Sequence, residues 1–189
     1  SRYLVSEADE SDGSFLKLRP HIAVVTNVED DHMDHYGTME KIIAAFRQFI
    51  EQVDTDGTAV LCFENANLRN IARETKRCVV SYAIDYEADY RASDIETRGS
   101  LISFTVHERG AEMGRISLNI PGRHNVLNAL ACIAVARLVG VEFPAIRAAL
   151  AQFHGAKRRF QTKGKERGVW VVDDYAHHPT EISVTLAAA

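Results

Sequence analysis

The sequence predicts an α/β fold, a mostly parallel sheet flanked by helices, carrying a small antiparallel side sheet. Two observations lead there. Short apolar, β-branched runs at residues 22–26, 58–63 and 78–84 are separated by segments whose apolar residues recur at helical spacing, the order of βαβ units. From about Asp89 to Ile120 the texture changes, and three β-like runs follow one another with only turn residues between them, as antiparallel neighbours do.

The elements follow in order. The chain opens without Met, and Tyr3-Leu4-Val5 reads as a strand already under way. Ile22-Ala23-Val24-Val25-Thr26 has the make-up of a buried parallel strand. A helix is expected from Thr38, a suitable N-cap, with Ile42, Ile43, Phe46, Phe49, Ile50 and Val53 along one buried face. Residues 58–63 then form a strand, 65–74 a short helix and 78–84 another strand. The side sheet is expected around residues 90–96, 101–107 and 114–120, and Pro121-Gly122 ends it.

A long helix should begin near Asn125, with Leu127, Leu130, Ala131, Ala134 and Leu138 on one face and Gly140 as its stop. A shorter one covers about 144–153. Residues 155–167 are polar, basic and glycine-containing, a boundary signature, and the domain junction is placed near 155–157. A strand restarts at 169–172, and Pro179 suits the first turn of a last helix, whose pattern runs to Ala189 without a cap or breaker. Both ends read as cut, and the chain is expected to be a fragment.

Composition narrows the function classes. The 189 residues suffice for one good-sized core, or for one domain and part of another. Hydrophobic residues at 46% and charged residues at 25% are ordinary for a soluble globular protein. A net charge of −4 without a basic stripe argues against nucleic acid as a partner. Cys62, Cys78 and Cys132 are far apart and form no CxxC pair, which fits a reducing cytoplasm. No apolar run approaches the ~20 residues of a membrane span, and no signal peptide opens the chain.

Five constellations carry chemistry. Glu29-Asp30-Asp31-His32-Met33-Asp34-His35 follows the strand ending near Asn27, at a carboxyl end, where open α/β sheets bind ligands. Glu7, Asp9, Glu10 and Asp12 follow another expected strand. Carboxylates with one imidazole suit a hard divalent ion such as Mg²⁺, although solvated loop acids look the same in sequence. His124, Asn125 and Asn128 lie where a turn enters the long helix. An Asn amide matches the donor–acceptor edge of adenine, while spacing alone favours a helix cap.

Lys157-Arg158-Arg159 falls in the expected linker, where an Arg can be delivered to a transferring phosphoryl group. Asp173-Asp174-Tyr175-Ala176-His177-His178-Pro179 follows the last strand. No G-x-x-x-x-G-K-[ST] loop, G-x-S-x-G elbow or cysteine nucleophile motif occurs. These residues alone support an α/β fragment with a divalent-metal site.

Together the segments resemble the Mur ligases. The resemblance rests on Glu7-Ala8-Asp9-Glu10-Ser11-Asp12 with Ser14-Phe15-Leu16, on Val25-Thr26-Asn27 with Asp31-His32-Met33-Asp34, and on Pro121-Gly122-Arg123-His124-Asn125 with Leu127-Asn128-Ala129. Arg158-Arg159-Phe160 and Asp173-Asp174-Tyr175 with His177-His178-Pro179-Thr180-Glu181 complete it, in family order along essentially the whole chain. The Glu-Ala-Asp-Glu-Ser-Asp form and the His-His-Pro-Thr-Glu ending favour the members that add L-alanine to UDP-N-acetylmuramate.

The resemblance implies an ATP-dependent ligase of peptidoglycan precursor synthesis that works through an acyl phosphate. Residues 1–156 would be most of a central, ATP-binding domain, and 157–189 the first β-α unit of a Rossmann-like C-terminal domain. It implies Glu7 and His32 as Mg²⁺ ligands, and His124, Asn125 and Asn128 as adenine-side contacts. Arg159 and Asp174 would be phosphate, ribose or hinge contacts, so that His32, Arg159 and Asp174 form the catalytic group. His177 and His178 would lie near the muramoyl or alanine site. The phosphate loop, the UDP-binding N-terminal domain and most of the C-terminal domain are expected outside this stretch, as its partners in the same chain, so the stretch alone is not expected to ligate.

Other readings stay open at this stage. A metal-dependent phosphohydrolase would use Asp31, His32 and His35 with His177 or His178. A non-catalytic nucleotide-binding domain fits the cut ends but not the acidic cluster. Another member of the same superfamily, such as a tripeptide-adding or folylpolyglutamate ligase, also stays open, because amino-acid choice is expected to reside largely in the C-terminal part outside this stretch.

Overall fold

The computed structural model describes residues 2–189. Six strands are hydrogen-bonded in the order β1-β2-β3-β4-β5-β6, and β7-β8 form a separate two-stranded sheet. The chain divides within β3 (Cys78–Ala83) into two compact units, Ser1–Ser81 and Tyr82–Ala189.

In the first unit β1 (Ile22–Val25) pairs in parallel with β2 (Thr58–Cys62), from Ile22↔Thr58 to Val25↔Leu61. Every residue of β2 is buried, whereas Val24 of β1 is 42% exposed. In β1 exposed Val24 stands between buried Ala23 and Val25, the alternation of faces along a strand.

The connection is made by α1 (Met33–Tyr36) and α2 (Met39–Glu51). Thr38 caps α2 as expected, its hydroxyl accepting from the Lys41 amide. The helical period then turns Ile42, Ala45, Phe49 and Ile50 inward. Burying side chains as large as Ile42, Phe49 and Ile50 contributes about 1.5–3 kcal/mol each. Phe15, on a 3-10 turn at Ser14–Lys17, stacks on Phe46 and Phe49 with ring centres 5.2 and 5.0 Å away. This contact ties the acidic loop just before it to the core. α3 (Ala66–Glu74) is capped by Asn65 and buries Leu68 and Ile71.

In the second unit the end of β3 pairs in parallel with β4 (Tyr90–Arg98), at Tyr82↔Tyr90 and Ala83↔Arg91. β4, β5 (Leu101–Glu108) and β6 (Ala111–Leu118) then run antiparallel with a bulge in each pairing. The three strands expected as a side sheet therefore continue the main sheet. α4 (Arg123–Leu138) buries Val126, Ala129, Leu130, Ile133 and Ala134, and α5 (Phe143–Ala151) buries Phe143 and Ile146.

Two local expectations fail. Tyr3-Leu4-Val5 does not form a strand, and Leu4 and Val5 are 92% and 93% exposed. The polar stretch taken as linker contains β7 (Gln161–Glu166), paired antiparallel with β8 (Val169–Asp173). Pairing, rather than an apolar alternation, makes that strand. α6 (Pro179–Ala187) follows with Pro179 at its first turn.

Candidate active site

In the first unit, the acidic residues that look alike in sequence have different surroundings. Asp9 accepts from the Ser11 amide at 2.9 Å and Asp12 from the Ser14 amide at 2.8 Å. These bonds, formed with the charged carboxylates, hold both below the usual Asp range. Gly13 takes a left-handed φ of 74°, and a Cβ there would lie 3.2 Å from the His35 ring. Such a turn suits glycine.

His32 stands at the N-cap of α1 with φ 54°. Its amide donates to Asp31 at 2.8 Å, and its Nε2 lies 3.5 Å from Glu10 Oε1 and 3.7 Å from Asp31 Oδ2. Glu7 is exposed, and no ion pair joins it to His32 among the described residues. The loop leading to His32 is anchored from α3, where the Asn65 and Asn67 amides each donate to Val28 O at 3.1 Å. Sequence reasoning points to this loop and this imidazole but does not single out Glu10, the carboxylate that lies beside the ring. The available signal was the i, i+4 pair His32–Tyr36, since the Tyr36 hydroxyl reaches the Glu10 carbonyl.

Asp31, His32 and His35 do not converge as a metal triad. The one His/Cys/Asp/Glu group among the described residues whose ligand atoms all lie within 4.8 Å of one another is His21, Asp54 and Asp56. His35 instead stacks edge-on against Tyr36, with ring centres 4.7 Å apart. His21, Asp54 and Asp56 are all exposed, precede β1 and β2, and form solvated ion pairs of the kind worth little.

In the second unit, Gly122 opens α4 with φ 100°, and a Cβ there would sit 2.5 Å from the His124 ring. Glycine thus lets the imidazole fold back over the turn. Burial pushes the His124 pKa below the usual histidine value, Asp174 pulls it up and Arg159 pushes it down, so the three groups share one electrostatic neighbourhood. Asn125 donates to Pro121 O at 2.6 Å, and Asn128 reaches Asn125 Oδ1 at 3.5 Å. Asn125 acts here as a local tie across the turn.

Both Asp174 oxygens are occupied, one by the Phe160 amide at 2.7 Å and one by the Ala176 amide at 2.8 Å. They fasten a segment in which Arg158 and Phe160 have φ of 59° and 48° on either side of Arg159. Arg159 reaches Glu181 at 3.5 Å. His178 caps α6 in a reciprocal box with Glu181, and the His177 amide also donates to Glu181 at 3.1 Å. Burial pushes the Glu181 carboxyl up, but those amides and Arg159 outweigh it and hold it below its ordinary value. Glu181 is thus the organiser that links Arg159, His177 and His178.

The family described as the Mur ligase middle domain matches residues 1–136. The chain belongs to the Mur ligase family. This Mur ligase chain is 51% identical over 188 residues to a UDP-N-acetylmuramate–L-alanine ligase of Geotalea daltonii, covering 100% of this chain and 41% of that one. It is 52% identical over 188 residues to the ligase of the same name from Geobacter sulfurreducens, covering 99% and 41%. Among solved structures it resembles a UDP-N-acetylmuramate–alanine ligase from Thermotoga maritima, with TM-score 0.81 and 28% identity over 96% of this chain and 40% of that one. A murein peptide ligase from Psychrobacter arcticus gives TM-score 0.69 and 30% identity over 92% and 35%. The chain therefore spans about two fifths of the length of the curated relatives it matches.

Proposed function

We propose that this chain is the ATP-binding centre of a cytoplasmic ligase that joins L-alanine to UDP-N-acetylmuramate in peptidoglycan precursor synthesis. The observation that carries this is the identity of 51–52% over essentially the whole chain to ligases named for that reaction. No helix is long and apolar enough to cross a membrane among the described residues, in keeping with nucleotide and amino-acid substrates. Residues 1–156 would be the central domain and 157–189 the start of a C-terminal domain, and the activity needs the remaining segments of the ligase.

A carboxylate is a poor electrophile. In this reading the lactyl carboxylate of UDP-N-acetylmuramate attacks the γ-phosphorus of ATP, an acyl C–O–P linkage forms, and the bond to ADP breaks. The alanine amine then attacks the acyl carbon, loses its proton as the amide forms, and expels phosphate. Negative charge accumulates in both steps, so positioned cations lower the barriers.

The donor set in the first unit suits Mg²⁺, which binds through one or two protein groups and keeps waters and phosphate oxygens for the rest. His32 is the imidazole member, and Glu7 and the nearby Glu10 are its carboxylate candidates. Bound there, Mg²⁺ would supply charge neutralisation on the phosphates. His124, kept neutral by burial, would lie with Asn125 and Asn128 on the adenine side without presenting a charge to the base. Arg159 would face phosphate and Asp174 the ribose or the hinge, while His177 and His178 would lie toward the muramoyl or alanine site.

The test is L-alanine-dependent release of phosphate from ATP by the complete ligase, with UDP-N-acetylmuramate present. Omitting either acceptor should abolish release. Turnover of a phosphoester without ATP, or release indifferent to alanine, would replace this reading with a hydrolase or with another ligase of the superfamily.

A further inference from the structure

On the reading that His32 serves a divalent cation, we propose that Tyr36 is a positioning residue that holds the Glu10 carboxylate beside His32, making Glu10 part of the cation's donor set. Four acids crowd the loop before the 3-10 turn, and the hydrogen bonds sort them. Asp9 and Asp12 are occupied by the Ser11 and Ser14 amides within their own loop. Glu7 has no ion pair with His32 among the described residues. Glu10 is the member whose carboxylate faces the imidazole, at 3.5 Å.

Glu10 is held there through its backbone. Its carbonyl accepts from the Gly13 amide at 3.1 Å and from the Tyr36 hydroxyl at 2.5 Å. Tyr36 is 7% exposed and lies four residues after His32, so one short helical turn carries both the imidazole and the hydroxyl that fastens its partner. His35 stacks on the Tyr36 ring and closes against Gly13. Two donors each ~2.1 Å from one ion at a right angle lie about 3 Å apart. The separation of 3.5 Å between His32 Nε2 and Glu10 Oε1 is therefore close to that of a shared ion. Asp31 Oδ2 lies 3.7 Å from the same nitrogen, but Asp31, His32 and Glu10 are not among the groups of described residues whose ligand atoms all lie within 4.8 Å of one another.

The test uses Mn²⁺ as the probe, with free ion read by electron paramagnetic resonance on the full chain. Glu10→Gln should weaken binding by more than tenfold, Tyr36→Phe by about tenfold, as expected for a partner that orients a ligand. The double variant should bind no more weakly than Glu10→Gln alone, because Tyr36 acts through Glu10. Asp30→Asn, in the same acidic segment, measures the loss due to charge alone and should be smaller than that of Glu10→Gln.

Multiplying effects in the double variant, or unchanged affinity in Tyr36→Phe, would overturn the proposal. His32→Ala separates it from the reading beneath it. If His32→Ala binds as well as the wild type, or the wild type does not bind, the metal reading fails and the proposal with it. If His32→Ala loses the ion and Glu10→Gln does not, the metal reading stands and the role of Glu10 and Tyr36 falls.

Discussion

The His32 cluster of the first unit and the Asp174 cluster of the second are both built from acids, a histidine and a tight turn, yet they use their polar groups in opposite ways. Around His32 a ring nitrogen and a Glu10 oxygen face each other at 3.5 Å, a separation longer than a strong hydrogen bond. Around Asp174 both carboxylate oxygens are held by backbone amides at 2.7 and 2.8 Å, and Glu181 is shared among its neighbours. On the reading proposed above, the first cluster is arranged to receive a cation. The second is arranged to hold a strained backbone in place, with Arg159 displayed between two left-handed residues. Similar composition therefore does not imply a similar role.

Four measurements can break or sharpen this contrast. The largest expected effect is on His32→Ala, which should weaken Mn²⁺ binding by about 100-fold or more while leaving the urea midpoint nearly unchanged. Asp174→Ala should do the reverse, with unchanged Mn²⁺ affinity and a loss of about 1–3 kcal/mol in chemical unfolding, since two backbone donors lose a charged acceptor. If both variants shift both readouts, the contrast is wrong.

Gly122→Ala should cost about 1–2 kcal/mol in the same unfolding experiment, because φ is 100° and the added methyl meets the His124 ring. The ring can swing aside, so the cost is limited, but nucleotide affinity should fall with it. The smallest effect is on pH. With its folded-state pKa below the unfolded value, His124 binds fewer protons in the fold, so its contribution is fully present above the ordinary histidine pKa and declines as pH falls through the lowered one. An NMR titration of His124 should show a midpoint under 6.5, and His124→Asn should flatten the loss of stability on mild acidification.

Most elements were legible because their signals are local. Thr38 as a cap, Pro179 at a first turn and Gly140 after α4 all stand where chemistry at one position decides. β7 was not legible, because Gln161-Thr162-Lys163-Gly164-Lys165-Glu166 carries no apolar alternation and becomes a strand through β8. The attachment of β4 to β3 rests on two residue pairs and leaves no mark in composition. In the candidate site, residue types pointed to these loops, but which acid faces His32 depends on a hydroxyl twenty-six positions further on. His177 and His178 could be found in sequence, while their engagement by Glu181 depends on where α6 begins.

Within this 189-residue stretch, the segment from β7 to α6 has a consequence for how the chain comes apart. α6 has no buried residue, and Val169, Val171 and Leu186 are 63%, 49% and 70% exposed. β2, by contrast, is buried throughout. Amide hydrogens of β7, β8 and α6 should therefore exchange with deuterium through local openings of low free energy, while those of β2 wait for the core to open. A brief protease pulse should trim this end first and leave the Phe15–Phe49 core intact.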